Sequence, residues 1–307
     1  MISGEAQWTV ETVLVWTIDY FKRNSIASAR LDAELLLAKA CGCQRMQLYL
    51  NPELPLTPDE REQVRNDVKQ RVAGVPIAYL LGEREFWGLA LNVRSGVLIP
   101  RPDTEILVEQ IHERIKVWKK NNSPDQTCEI AELGTGSGAI PIALASLEKN
   151  LRFYCTDISP IAIEVATANA RKFQSLWDER SNRIQFIRGD RFEMLASGSQ
   201  FDLIISNPPY IPSNDIQSLQ KEVRVFEPHE ALDGGTSGMN FYDYLLTKAP
   251  LLLKHEGWLC VEMGFDQAES LTLLIQQHSS MKLVKIVPDY AGHDRVALLQ
   301  HCKHSPQ

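Results

Sequence analysis

The sequence predicts an α/β protein with a mostly parallel sheet, covered by helices on both faces and preceded by a small helical bundle. From residue 129 onward, short apolar runs typical of buried strands alternate with amphipathic helical segments. Up to about residue 78, apolar residues instead recur three and four positions apart, which is the helical period. The last two strand-like runs are joined only by "PDYAGHD". That connection is too short for a helical crossover, so we expect the final strand to be antiparallel.

The N-terminal region predicts three helices. They are "WTVETVLVWTIDYF" (8–21), "ARLDAELLLAKAC" (29–41) and "TPDEREQVRNDVKQRV" (57–72). In the third, Thr57 is the expected N-cap, Pro58 occupies the first helical position and Glu60 completes a capping box. None of these helices carries a chemical motif. The pattern therefore leaves open both a plain bundle and a module that docks a protein partner.

A hairpin and a further helix are predicted next. Two strand-like runs, around 83–87 and 89–94, are joined at Gly88. The prolines of "IPRPDTE" then favour an extended approach to the helix "TEILVEQIHERIKVW", with Asp103 or Thr104 as its cap.

The remaining chain predicts seven strands and the helices between them. The strands, in order, are "EIAEL", "RFYCT", "RIQFIR", "FDLIIS", "GWLCVEM", "KLVKIV" and "RVALLQ". The helices are "GAIPIALASLEK", "PIAIEVATANARKF", "MNFYDYLLTKAPLLL" and "DQAESLTLLIQQH".

Composition limits the classes of function. The chain has 307 residues, 44% of them hydrophobic and 23% charged, with a formal net charge of -7 and a pI of about 5.6. This acidic balance argues against broad, non-specific binding to nucleic acid. The six cysteines are scattered and the seven histidines form no ligand-spaced pair, so we expect reduced thiols and no metal site. With no signal peptide or membrane span in the pattern, we expect a cytoplasmic protein that does not contact a membrane.

A glycine-rich turn and two aspartates predict a nucleotide-type pocket. In "ELGTGSGA" (132–139), Gly134, Gly136 and Gly138 allow a tight turn and a close approach of the backbone to a ligand. Asp157 ends the second strand, where a carboxylate can accept hydrogen bonds from ribose hydroxyls, and Asp190 follows the third strand. A dinucleotide and S-adenosylmethionine both contain such a nucleoside. The G-x-G-x-G spacing and the antiparallel last strand favour S-adenosylmethionine.

The segment "SNPPY" (206–210) predicts the reaction type. A planar nitrogen that accepts a methyl group must be held by its two N–H groups so that its lone pair faces the methyl donor. The Asn207 side chain and the Pro208 backbone each offer one carbonyl acceptor, and Tyr210 can stack on the substrate plane. The pattern therefore predicts nitrogen methylation that depends mainly on proximity and alignment.

The motifs together resemble one family over nearly the whole chain. "NPPY" alone is shared by DNA adenine-N6 methyltransferases and by some rRNA and protein methyltransferases. The combination is narrower: "REFWGLALNV", "LIPRPDTEILVE", "ELGTGSGAI", "SNPPYI", "VRVFEPHEALDGG" and "DYAGHDRV". It resembles the release factor glutamine methyltransferases, the HemK-type enzymes, and "ARLDAELLLA" and "GVPIAYLLGEREF" resemble the helical domain and linker of that family.

The resemblance implies a class I, Rossmann-like methyltransferase that uses S-adenosylmethionine. Its implied substrate is the glutamine of the Gly-Gly-Gln tripeptide in class 1 peptide chain release factors. The implied cofactor residues are Gly134, Thr135, Gly136, Ser137 and Gly138 at the methionine end, Asp157 at the ribose, Asp190 and Arg191 at the adenine, and Asn207. Asn207, Pro208, Pro209 and Tyr210 would hold the glutamine amide, with Asn207, Pro208 and Tyr210 as the catalytic set and Leu98 and Arg101 on the substrate side.

Three positions depart from the family pattern. Glu132 replaces a common aspartate, Arg191 replaces an aromatic or aliphatic residue, and "VEMGF" (261–265) replaces the more usual E-H-G.

The expected organisation is a helical substrate-docking domain at 1–78, a hairpin linker at 79–100 and a monomeric methyltransferase domain at 101–307. Two alternatives remain open at this point. One is an NPPY-type N-methyltransferase that acts on adenine in DNA or rRNA, or on another protein. The other is a cofactor-binding assembly factor without catalysis. No insert of the kind that recognises a DNA target is visible, and the acidic charge favours a protein substrate over duplex DNA.

Overall fold

The computed structural model describes residues 8–193, 195, 198 and 200–302. Its helices are α1 Val10–Arg23, α2 Ala29–Ala40, α3 Arg45–Leu50, α4 Pro58–Ala73, α5 Ile77–Leu81, α6 Thr104–Asn121, α7 Ala139–Leu147, α8 Pro160–Phe173, α9 Lys221–Phe226, α10 Asn240–Leu252 and α11 Ala268–Gln276. Its strands are β1 Glu83–Phe86, β2 Leu89–Asn92, β3 Cys128–Leu133, β4 Leu151–Asp157, β5 Arg183–Arg188, β6 Phe201–Ser206, β7 Leu253–Glu262, β8 Met281–Pro288 and β9 Asp294–His301. No helix of this described part is both long and apolar enough to cross a bilayer.

The chain divides into two compact units. One comprises Met1–Glu83 together with Lys221–Phe226, and the other comprises Arg84–Gln220 and Glu227–Gln307. Helix α9 therefore groups with the N-terminal helices although it follows β6 in the chain.

The helical unit is held by an apolar core and a buried ion pair. Phe21, Leu36 and Leu37 are almost completely buried between its helices. The buried Arg71 guanidinium lies 2.7 Å from Asp32 and 2.8 Å from Glu222 of α9. The predicted start of α4 is confirmed, with Thr57 and Glu60 forming a reciprocal capping box and Pro58 in the first turn.

The predicted hairpin also forms. Trp87 and Gly88 join β1 to β2 with φ of 54° and 69°. Two consecutive left-handed residues are the geometry of the tight turns that fit the twist of a hairpin.

The second unit is built on a seven-stranded sheet in the order β5-β4-β3-β6-β7-β9-β8. Strands β3 to β7 pair in parallel, whereas β9 is antiparallel to both β7 and β8, which confirms the prediction for the last strand. One apolar core lies between the sheet and α6, α7 and α8, and the other lies beneath α10 and α11. Strand β6 is buried along its whole length, as a central strand of a covered parallel sheet should be.

A buried carboxylate fixes the start of β6. Asp202 accepts hydrogen bonds from Trp118 Nε1 at 2.8 Å, from the Glu129 backbone N–H at 2.9 Å and from Lys254 Nζ at 2.8 and 2.9 Å. This cluster lies at the end of β6 opposite the polar loop that follows Ser206. It anchors the strand without entering that loop.

Candidate active site

The strand register brings the predicted motifs together. Leu133 of β3 pairs with Ser206 of β6, and Ser206 pairs with Val261 of β7. The next residues along these parallel strands are Gly134, Asn207 and Glu262. The glycine turn therefore begins on one side of Asn207 and a carboxyl group lies on the other.

An open cavity lies at this edge of the sheet, where α/β proteins usually bind ligands. It has about 1020 Å³ of free space, including its solvent-filled mouth. Of the predicted site residues, it is lined by Leu98, Arg101, Gly134, Thr135, Gly136, Ser137, Asp157, Asp190, Arg191, Asn207 and Pro209. The structure thus brings together eleven predicted residues that are widely separated in the sequence.

The glycine turn has the shape of a ligand cradle. Gly134 and Gly136 have φ of 72° and 56°, and a Cβ atom added at either would meet no protein atom within 4 Å. Such a side chain would instead project into open space where a ligand can approach the backbone. Gly138 differs, because its Cβ would lie 3.2 Å from Ala166 and Ile142. The third glycine thus serves the packing of α7.

Asp157 is held rigidly beside this turn. One carboxylate oxygen accepts the Gly136 backbone N–H at 2.9 Å and the other accepts the Ser159 backbone N–H at 2.9 Å. Burial raises the pKa of Asp157, and these two backbone hydrogen bonds partly oppose that effect. Each oxygen retains acceptor capacity for a further donor, such as a ribose hydroxyl.

Glu132 is a second carboxyl at the same turn, and it is buried. It lines the cavity, is 1% exposed and accepts a hydrogen bond from the Thr135 hydroxyl. Burial raises the pKa of Glu132 to about 7, the Thr135 and Cys155 hydrogen bonds lower it, and the Asp157 charge raises it. Glu132 therefore fixes Thr135 while carrying a proton that is easily gained or lost near neutrality.

Arg191 lines the cavity and lies on an aromatic support. Its guanidinium carbon is 5.0 Å from the Phe241 ring centroid and 4.5 Å from that of Tyr244. Its Nε atom is 3.6 Å from Asp190, and its backbone is left-handed with φ of 51°. Phe241 lines the same region. A flat guanidinium backed by aromatic rings is a surface on which a planar base can stack.

Asn207 is oriented by α6. Its amide nitrogen donates to Thr104 Oγ1 at 3.1 Å. The side-chain carbonyl oxygen is thereby left available as an acceptor on the cavity side, where Asn207 is among the lining residues.

The rest of the "NPPY" segment is distributed differently. Pro209 lines the cavity, whereas Pro208 is buried and neither Pro208 nor Tyr210 is among the lining residues. The Tyr210 hydroxyl donates to Glu262 Oε1 at 3.3 Å, and burial raises the pKa of that phenol. The Tyr210 backbone carbonyl accepts from Gln267 Nε2 at 2.7 Å. Tyr210 is therefore anchored at its hydroxyl and its main chain.

The predicted substrate-side segment is tied to a buried carboxylate. Arg101 Nη2 lies 2.5 Å from Glu227 Oε1, and the Ile99 backbone N–H donates to Glu227 Oε2 at 3.1 Å. The Glu227 side chain is 1% exposed. Glu227 thus holds the "IPR" segment that brings Leu98 and Arg101 to the cavity.

Comparisons with known proteins agree with this geometry. Residues 12–82 match the family described as PrmC N-terminal domain, and residues 103–235 match the family described as Methyltransferase small domain. The release factor glutamine methyltransferase of Geobacter sulfurreducens is 40% identical over 86% of this chain and 87% of its own length. The enzyme of that name from Rhodopirellula baltica is 36% identical over 97% of this chain and 98% of its own length.

This chain belongs to the release factor glutamine methyltransferase family. Its fold is also that of a solved methyltransferase, the hMettl16 catalytic domain in complex with an RNA hairpin. That structure covers 79% of this chain and 84% of its own, with a TM-score of 0.52 and 14% sequence identity. At that identity the likeness concerns the fold alone. The methyltransferase fold predicted for this family member is confirmed.

Sequence reasoning missed several residues of this family member's site. The sequence indicates Glu132 only as a departure from the family pattern, and it predicts no role for Glu227, Phe241 or Glu262. Glu227 lies inside "VRVFEPHEALDGG", which carries the family resemblance, whereas Glu262 lies inside "VEMGF", which departs from the family pattern. The sequence signal for these two residues is a carboxylate beside or inside an apolar run. Such a carboxylate is rarely buried without a partner, so its position indicates a specific contact.

Proposed function

We propose that this protein transfers a methyl group from S-adenosylmethionine to the side-chain amide nitrogen of the glutamine in the Gly-Gly-Gln motif of class 1 release factors. The substrate is supported by the names of the relatives, which specify the glutamine of a release factor. The single observation that carries the chemistry is the Asn207–Thr104 hydrogen bond, because it engages the amide nitrogen and leaves the carbonyl oxygen of this cavity-lining residue available as an acceptor.

The cavity residues fit the proposed cofactor. The backbone of Gly134 to Gly138 would face its methionine end, and Asp157 would accept hydrogen bonds from the ribose hydroxyls. Arg191 and Phe241 would flank the adenine, with Asp190 beside them. When bound, S-adenosylmethionine supplies an electrophilic methyl group on a positively charged sulfur.

The protein's contribution is to align the amide nitrogen. Asn207 Oδ1 and the Pro208 backbone carbonyl would each accept one N–H of the glutamine side chain, so that the nitrogen lone pair faces the methyl group. An amide nitrogen is a poor nucleophile because its lone pair is delocalised. Proximity and alignment, which can lower a barrier by roughly 7–11 kcal/mol, therefore supply most of the rate. The nitrogen becomes acidic only as the new bond forms, and its proton would then pass to water in the open cavity, so no strong base is required beforehand.

A methylation assay tests this proposal. The purified protein is incubated with a bacterial class 1 release factor and isotopically labelled S-adenosylmethionine, and the labelled residue is located by peptide mass spectrometry. We expect one methyl group on the glutamine of Gly-Gly-Gln, and none on a release factor in which that glutamine is alanine. Label on nucleic acid, or on any other residue alone, would overturn the assignment.

Asn207→Ala provides the matched enzyme variant. We expect kcat to fall by about 10²–10³-fold, the loss seen when one preorganised hydrogen-bonding group that acts in the transition state is removed. The affinity for S-adenosylmethionine, measured by calorimetry, should stay within several-fold of the wild-type value, because the glycine turn and Asp157 remain. A fully active Asn207→Ala enzyme would contradict the proposed role.

We further propose that the helical unit docks the body of the release factor. Its support is a set of large apolar side chains that this unit exposes: Trp8, Trp16, Met46, Leu50 and Leu54. The double variant Trp16→Ser, Leu50→Ser should raise KM for the whole release factor and leave KM for a short Gly-Gly-Gln peptide unchanged. An equal change for both substrates would contradict docking.

A further inference from the structure

Glu262 is a buried carboxyl whose function the chemistry above does not use. It ends β7, is 1% exposed and accepts the Tyr210 hydroxyl on Oε1 at 3.3 Å. Its Oε2 atom is buried, and no donor in the described part of the chain makes a hydrogen bond of regular geometry to it. A buried polar atom without a partner requires an explanation, because burying a carboxyl is costly.

Thr104 connects this carboxyl to Asn207. The Thr104 side chain is buried, and its hydroxyl lowers the pKa of Glu262 by hydrogen bonding, which favours the charged form of that carboxyl. A threonine hydroxyl has a single proton. When that proton points to Glu262, only lone pairs of Thr104 Oγ1 face Asn207, and the group 3.1 Å away must be the donating amide nitrogen.

The direction of this hydrogen-bond chain matters for the proposed function, on which the inference rests. The two ends of an asparagine amide have nearly the same shape, so packing alone does not decide which end faces the substrate. Only the carbonyl end can accept an N–H of the glutamine amide. A flipped Asn207 would present its own N–H groups to those of the substrate.

We propose that Glu262 is a positioning residue that, through the Thr104 hydroxyl, holds Asn207 with its carbonyl oxygen toward the substrate. An ionised Glu262 can only accept, which orients both hydroxyls that reach it, those of Thr104 and Tyr210. A protonated Glu262 can donate to Thr104, and the chain of donors and acceptors can then run in the opposite direction.

Several charged groups surround this carboxyl. Burial raises the pKa of Glu262 to about 7, while Thr104, Arg295 and Tyr210 lower it and Asp103 raises it. Arg295 of β9 is itself held 3.4 Å from Asp103 and 3.2 Å from Asp289. Tyr242 donates to the Glu262 backbone carbonyl at 2.9 Å. We therefore expect kcat to fall as the pH drops through about 7, because protonation removes the fixed direction.

Kinetics of four variants test the proposal: Thr104→Val, Thr104→Ser, Glu262→Gln and, as a control, Thr272→Val. We expect Thr104→Val and Glu262→Gln to lower kcat by about 10-fold to 100-fold. Losses of that size are typical when a residue that orients a metal-binding side chain through a hydrogen bond is removed, and the orienting role is analogous here. Glu262→Gln should also lose the fall in kcat at acid pH. Thr104→Ser should restore most of kcat, because it keeps the hydroxyl.

The control and a second readout separate orientation from stability. The Thr272 hydroxyl bonds only within α11, to Ala268 O at 2.7 Å, so Thr272→Val should leave kcat unchanged. Calorimetric affinity for S-adenosylmethionine should be unchanged in all four variants. In the wild-type protein, the ¹⁵N signal of the Asn207 side-chain amide, identified by its loss in Asn207→Ala, should shift with an apparent pKa near 7.

Each outcome is decisive. Wild-type kcat in Thr104→Val, an unchanged acid limb in Glu262→Gln, or an Asn207 amide signal that does not respond to pH would overturn the positioning role. The amide signal needs no variant at Thr104 or Glu262, so the test survives if those variants fail to fold. Absence of glutamine methylation by the wild-type protein would instead refute the proposed function, whatever the Asn207 signal does.

Discussion

Gly234 presses directly against the backbone of the "NPPY" segment, and replacing it with alanine should disable catalysis. A Cβ atom at Gly234 would lie 2.8 Å from Tyr210 Cα and 2.9 Å from both Cα and O of Gly238. Carbon atoms in contact normally lie about 3.5–4.0 Å apart, so the backbone must separate by roughly 0.7 Å or more. These are main-chain atoms, and no flexible side chain can move aside to relieve the contact.

The magnitude follows from that displacement. Overpacking of this kind costs about 1–3 kcal/mol of stability. A misplacement near 1 Å in an aligned site costs on the order of 100-fold in rate. We therefore expect Gly234→Ala to lower kcat by about 10-fold to 100-fold. Gly234 does not line the cavity, so the affinity for S-adenosylmethionine should remain within a few-fold.

The assay compares Gly234→Ala with Gly42→Ala. Gly42 has φ of 60°, and an added Cβ there would meet no atom within 4 Å. Its substitution should cost about 1–2 kcal/mol of backbone strain and leave kcat unchanged. Methylation rates with saturating cofactor, together with thermal unfolding of both variants, separate the two effects. Wild-type kcat in Gly234→Ala would refute the claim that this contact positions the "NPPY" segment.

Three further predictions concern carboxyls at the strand ends and in the sheet. Asp157→Ala should raise the dissociation constant for S-adenosylmethionine, measured by calorimetry, by about 10-fold to 100-fold, because hydrogen bonds to a charged group are worth about 1.5–3 kcal/mol each. An unchanged affinity would exclude Asp157 from the ribose site. Asp202→Ala should lower the free energy of unfolding by about 1–3 kcal/mol in denaturant titrations, because it leaves the Trp118 and Glu129 N–H groups without their shared acceptor. An unchanged free energy of unfolding would show that the cluster is dispensable. Glu132→Gln should weaken the pH dependence of stability. The pKa of Glu132 in the folded protein, about 7, lies above the ordinary value of 4.5. Its contribution to the free energy of unfolding, about 3 kcal/mol, is therefore fully present below pH 4.5 and is lost as the pH rises through 7. Identical pH profiles of unfolding for wild type and variant would contradict that pKa.

Much of the fold and part of the site could be predicted from the sequence because both depend on local patterns. The glycines of the turn after β3, Asp157 and Asn207 each lie at or just beyond the end of a strand, and the ends of parallel strands meet at one edge of the sheet. Short elements such as α3 and α5 escaped prediction, since one or two turns are too few to show a period.

The residues that orient the site could not be found in this way. Glu262 lies beside Asn207 only because β7 pairs with β6, and strand order is a property of the whole sheet. Glu227 acts on Ile99 and Arg101 from a loop far along the chain. Their roles come from tertiary contacts between distant segments, and a single sequence shows no periodicity or spacing for such contacts.

A structure of the protein with S-adenosylhomocysteine and a Gly-Gly-Gln peptide carrying N-methylglutamine would test the central claim most directly. The decisive measurement is the distance from the glutamine side-chain nitrogen to Asn207 Oδ1 and to the Pro208 carbonyl oxygen. We predict that the remaining N–H lies within about 2.7–3.2 Å of one of these oxygens, with the methyl group directed toward the sulfur. A side-chain nitrogen beyond hydrogen-bonding distance of both oxygens would contradict the proposed alignment of the amide.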